Sequence, residues 1–230
     1  MRTEIGLAHF WEQGDIVSHT VAIILAFLSV ASWSVIALRF VAQIRVNRSV
    51  DGALETFWSA PTLEEAVERM TRRDYSGILA GLARIGVEAA RIHAQHEERG
   101  IGSGVSSSEF LTRAMRNYMV RSQARLESGL TFLASVGSTA PFIGLFGTVW
   151  GIFHALVGLS GATQVVLDKV AGPVGEALVM TAAGLFVAIP AVLAYNALNR
   201  ANRLIGAYLD GFAHDLHAFL TTGARVAGGH

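Results

Sequence analysis

Three stretches of this chain carry no Asp, Glu, Lys or Arg: Ile16–Leu38, Ser128–Leu167 and Ala177–Asn199. A helix needs about 20 predominantly apolar residues to cross a bilayer, so the first and third are read as single spans. The middle stretch is too long for one helix. Its tail, with Gly158, Ser160, Gly161, Thr163 and Gln164, is polar and Gly-rich, which ends the second span near Val157. The sequence therefore predicts an all-α membrane protein of three transmembrane helices. At 52% hydrophobic residues and a formal net charge of +0, the chain is too apolar for an ordinary soluble domain and has no charge excess to suit nucleic acid.

The first span has the position of a secretory signal, but Arg2 is outnumbered by Glu4, Glu12 and Asp15 and no A-x-A cleavage site follows. It is read as a retained helix. Arginine placement sets the expected orientation. Arg39, Arg45 and Arg48 follow span one, Arg113, Arg116, Arg121 and Arg125 precede span two, and Arg200 and Arg203 follow span three. The segments on the other side carry only Arg2 and Lys169. The expected layout is a periplasmic N-terminus (1–15), span one (16–41), a cytoplasmic helical segment (42–127), span two (128–157), a periplasmic loop (158–172), span three (173–199) and a cytoplasmic C-terminal helix and tail (200–230).

The cytoplasmic segment reads as helices. Thr62 and Glu65 have the spacing of a capping box, and Ile78, Leu79, Leu82, Ile85, Ala89 and Ile92 form one apolar face. Gly100–Ser108 reads as a flexible loop, and Ser106 with Glu109 as the cap of the next helix. That helix meets no breaker before Gly129 and is expected to run straight into span two, about 75 Å in all at 1.5 Å per residue. After span three, Ile205, Leu209, Phe212, Leu216 and Phe219 make a short heptad seam that needs a partner, either the 107–128 helix of the same chain or another copy.

The second and third spans hold the candidate functional residues. On span two Gly137, Pro141, Gly144, Thr148, Gly151 and Ala155 fall on one stripe; on span three Ala177, Thr181, Gly184, Ala188 and Ala191 do the same. Small residues at this spacing let helix backbones approach, so a packing seam alone explains the stripes. Thr148 and Thr181, however, both lie about 12–14 Å from the outer ends of their spans, near the middle of a hydrocarbon core about 30 Å thick. Two hydroxyls at one depth also suit a shared polar path. Pro173 is read at the first turn of span three, and Pro190 as a kink that frees a carbonyl. Glu176 is read as the only carboxylate in or beside a span, serving as a cap or as a proton relay. It lies about 140° round the helix from Thr181, so the two do not point squarely at one narrow lumen. His19, His154, Tyr195 and Asn196 are read as interfacial residues.

At these residues the chain resembles the MotA/TolQ/ExbB proton-channel family. The runs GSTAPFIGLFGTVWGI (137–152) and GPVGEALVMTAAGLFVAIPAVLAYN (172–196) carry the likeness, and the start, FWEQGDIVSHTVAIILAFLSVASWSVI, is similar to the ExbB branch. The resemblance implies a homopentamer around the transmembrane helices of ExbD, energising TonB from the proton-motive force in the bacterial inner membrane. It places the family's pore threonines at Thr148 and Thr181 and its span-three glutamate at Glu176, with the protonatable aspartate supplied by ExbD. It implies no enzyme activity, cofactor or metal. Gly-Pro-Val-Gly before Glu176 departs from the family's Pro-Gly-Ile-Ala. HALVGL (154–159) and YNALNR (195–200) lean toward the TolQ branch, which serves the Tol–Pal system. A non-conducting membrane scaffold is the rival of another class.

Overall fold

A computed structural model of the chain describes residues 15–97, 106–158 and 168–224. Residues 1–14, most of the Gly-rich loop after Gly100, and 159–167 of the expected periplasmic loop lie outside the described residues. Among the described residues every regular element is a helix: α1 (Ile16–Trp58), α2 (Leu63–Arg73), α3 (Ile78–Glu97), α4 (Ser107–Glu127), α5 (Leu130–Val157) and α6 (Asp168–Thr222). Three segments are long and apolar enough to cross a membrane, within α1, α4–α5 and α6. α1 runs unbroken from the apolar segment to Trp58. One difference from expectation concerns a helix end: α6 begins at Asp168, so Pro173 falls inside the helix rather than at its start.

The chain divides into two compact units. The first takes in residues up to Leu38 together with Gly129–Ala197. Its packing is inside-out by the standard of a water-soluble protein. Val21, Leu25, Ala140, Gly144, Thr148, Ala177, Ala188 and Ala191 are buried, whereas Phe142 is 70% and Phe186 68% exposed, with Val149, Leu178 and Leu193 exposed beside them. Small residues inside and large apolar residues outside are what a lipid-facing bundle requires, because close backbone approach rather than the hydrophobic effect holds its helices together.

The second unit comprises Arg39–Ser128 and the residues from Leu198 onward. It has a core of ordinary composition: Val46, Val50, Ala53 and Phe57 of α1 and Met70 of α2 pack with Leu79, Leu82, Met115, Ile205, Leu209, Phe212 and Leu216. The heptad seam of α6 is thus covered within the chain; Phe212 meets Phe57 and Phe219 meets Trp58 edge-on. Thr62 caps α2 by accepting from the Glu65 amide, and Ser106 caps α4 by accepting from that of Glu109. The reciprocal half of the capping box goes elsewhere: Glu65 accepts from Arg69 and Glu109 from Arg113, one turn further on.

α4 does not run straight into α5. Gly129 adopts φ 82°, a left-handed conformation open to glycine at little cost, and separates the two helices. The break exposes the last carbonyls of α4, which need partners. Arg39 Nη1 donates to the Arg125 carbonyl at 3.1 Å, and the buried Asn202 Nδ2 donates to the Leu126 carbonyl at 3.0 Å.

Candidate functional site

α5 and α6 run antiparallel and touch on three rungs. A Cβ added at Gly137 would lie 2.4 Å from Val192 Cγ2; at Gly144, 2.5 Å from the Met180 carbonyl oxygen; at Gly151, 3.0 Å from Ala177 Cβ. The contact at the middle rung is mutual, since a Cβ at Gly184 would lie 2.6 Å from the Ala140 carbonyl oxygen and 3.1 Å from Gly144 Cα. The α5 glycines are seven residues apart, and so are Gly184 and Ala177 opposite them, which is the register of left-handed helix packing. Ala188 is buried near the same seam. Pro141 and Pro190, by contrast, are only half-buried. Gly147, which stripe counting left out, is as tight: its Cβ would lie 2.9 Å from Val21 of α1 and 3.2 Å from Met180.

Between the second and third rungs sit the two hydroxyls. Thr148 is buried, and its Oγ1 lies 3.1 Å from the Gly144 carbonyl, 3.0 Å from the Ala177 carbonyl of α6 and 2.5 Å from Thr181 Oγ1. Carbonyls only accept, so the single Thr148 proton serves them, and Thr181 donates to Thr148 Oγ1. The half-buried Thr181 oxygen keeps its lone pairs for a further donor. The equal depth read from the sequence therefore corresponds to a direct bond. The pair ties α5 to α6 where both backbones are closest. The half-buried Glu176 stands one residue before Ala177.

The reading of Glu176 as the only carboxylate beside a span requires correction. Asp15 immediately precedes α1, accepting from the Ser18 amide at 2.8 Å and from the Trp150 indole N–H at 2.5 Å. Burial pushes its carboxyl up, but Trp150, Ser18 and the nearby His154 together bring it below the ordinary aspartate value. An Asp directly before an apolar helix is a legible cap. Nothing local in the sequence signals its partner 135 positions away.

The profile of the MotA/TolQ/ExbB proton channel family matches residues 78–210, which span α3 to the C-terminal half of α6. The chain belongs to this family. It is 44% identical over 212 residues to a biopolymer transport protein ExbB of Xanthomonas campestris pv. campestris, covering 91% of this chain and 84% of that protein. It is 41% identical over 210 residues to ExbB of Neisseria meningitidis, covering 91% and 94%. To the Tol-Pal system protein TolQ of Pseudomonas aeruginosa it is 39% identical over 212 residues, covering 90% and 88%. The matched region contains Thr148, Thr181, Glu176 and the three-rung seam.

Proposed function

We propose that this chain is the channel-forming subunit of an ExbB-type proton channel, a homopentamer in the inner membrane with its N-terminus periplasmic and its C-terminus cytoplasmic. In this reading the copies enclose the transmembrane helices of ExbD, and the complex energises TonB from the proton-motive force. The observation that carries it is the Thr148–Thr181 pair. The lone pairs left on the Thr181 oxygen can accept from an ordered water beside a carboxylate on an enclosed helix, while the described residues supply no carboxylate at that depth. Protons pass from outside to the partner's aspartate, and its neutralisation permits the enclosed helices to move. Glu176 marks the outer approach to this path. The higher identity to ExbB proteins than to TolQ supports the TonB role.

Thr148→Val and Thr181→Val test the reading, being nearly isosteric. Each is expected to abolish TonB-dependent uptake in cells whose complex still assembles; uptake at the wild-type rate in both variants leaves a non-conducting scaffold. Glu176→Ala separates two roles, since a path residue loses activity with assembly intact and a packing residue loses assembly. The TolQ reading rests on the lower, 39% identity above, and recovery of TolR and TolA in place of ExbD and TonB from native membranes would establish it.

A further inference from the structure

We infer that Asp15, Trp150 and His154 form a proton-binding site joining the start of α1 to the last turns of α5. Asp15 is fixed from both sides: its Oδ1 accepts from the Ser18 amide at 2.8 Å, its backbone carbonyl accepts from the His19 amide at 3.1 Å, and its Oδ2 accepts from Trp150 Nε1 at 2.5 Å. The His154 ring lies against the indole, with centroids 4.6 Å apart and planes at 36°, and Phe153 closes on it edge-first at 5.5 Å. His154 Nδ1 is 3.3 Å from the Trp150 carbonyl oxygen, and its Nε2 is 3.9 Å from Asp15 Oδ2.

These contacts assign the tautomer. A carbonyl only accepts, so Nδ1 carries the hydrogen, and the neutral ring then turns a bare Nε2 lone pair toward a carboxylate oxygen. Two electron-rich atoms face each other across that gap. A proton arriving at Nε2 replaces this repulsion with an imidazolium–carboxylate pair, and no other group has to move. The ring is half-exposed, so water delivers the proton directly. Among the described residues, His19, on the next turn of α1, and Glu176, one residue before the Ala177 that packs on Gly151, are titratable groups at this same end. Trp150 lies two residues after Thr148, about 200° round α5, so this site is on the α1 side of the helix and the hydroxyl pair on the α6 side. Proton uptake here ties α1 to α5 without passing through the threonines.

The indole is its own reporter, because a protonated imidazole against its face quenches emission. The full chain in lipid nanodiscs, with Trp11, Trp33 and Trp58 replaced by Phe, is expected to lose Trp150 fluorescence in a single transition as the pH is lowered. H154Q is expected to abolish that transition, and D15N, which keeps an acceptor for the indole but no charge, to move it to lower pH. If the triple replacement disturbs folding, the difference between the wild-type and H154Q titrations reads the same event. A flat titration, a transition that persists in H154Q, or one that D15N leaves in place overturns the proposal. So does a 15N-histidine spectrum showing the Nε2–H tautomer for neutral His154.

Discussion

Replacing Gly144 by Ala probes the middle rung. The added Cβ would sit 2.5 Å from the Met180 carbonyl oxygen, 0.9 Å short of the 3.4 Å at which ordinary contact begins, and its neighbours at 3.1 and 3.2 Å are the Cα atoms of Gly184 and Thr181. All three are main-chain atoms, so no side chain can rotate away. The helices must part. If most of that 0.9 Å is passed one turn along, the bond from Thr148 to the Ala177 carbonyl, now 3.0 Å, leaves hydrogen-bonding range, and the Thr148–Thr181 contact stretches past its optimum. Overpacking of this kind costs about 1–3 kcal/mol. A lost interhelical bond adds about 0.6 kcal/mol, and the better helix propensity of Ala returns up to about 1 kcal/mol. The expected net loss is about 1–3 kcal/mol, read as a lower temperature at which detergent-solubilised protein loses its monodisperse peak after heating. Gly211→Ala is the control. Gly211 is exposed in α6 with no atom within 4 Å of its added Cβ, so the variant is expected to be neutral or slightly stabilised. Gly184→Ala opens the same gap, so the double variant should lose less than the two singles summed. Gly144→Ala behaving like Gly211→Ala would refute the close-contact seam.

Asp74→Ala is expected to destabilise the second unit by roughly 2–4 kcal/mol in denaturant unfolding, because the buried carboxylate accepts from the Ser49 and Ser76 hydroxyls and the Ser76 and Ala80 amides, several of which would be left unpaired. Asn202→Ala removes the donor to the Leu126 carbonyl beside the α4–α5 break and is expected to cost about 1–3 kcal/mol by the same measurement. The depressed Asp15 carboxyl sets a pH dependence: its stabilising contribution is full above the ordinary aspartate pKa and lost as pH falls through the lower folded value. Trp150→Phe is expected to weaken that acid-side dependence, and heat stability measured from pH 5 down to 2 in both proteins checks it.

How much of this was open to sequence reading depends on the range of the interaction. Apolar runs of 23 residues and Arg-flanked ends are local signals of a membrane helix, and Thr62 and Ser106 announce their caps within three positions. Gly129 was visible as a breaker, but whether the helix ended there was not. That depends on Arg39 and Asn202 reaching the orphan carbonyls of α4, from 86 and 76 positions away. The site divides in the same manner. Depth counting placed Thr148 and Thr181 at one level because rise per residue is fixed by helix geometry. It left packing seam and polar path as alternatives, and the geometry explains why they were hard to separate. The glycine rungs bring the backbones close enough for the hydroxyls to bond, so the residues that pack the helices also set the hydroxyl geometry. Asp15 and Trp150 had no such periodic signature. Each looked ordinary alone, a charge ahead of an apolar helix and an aromatic near an interface, and their pairing exists only after α1 and α5 have packed.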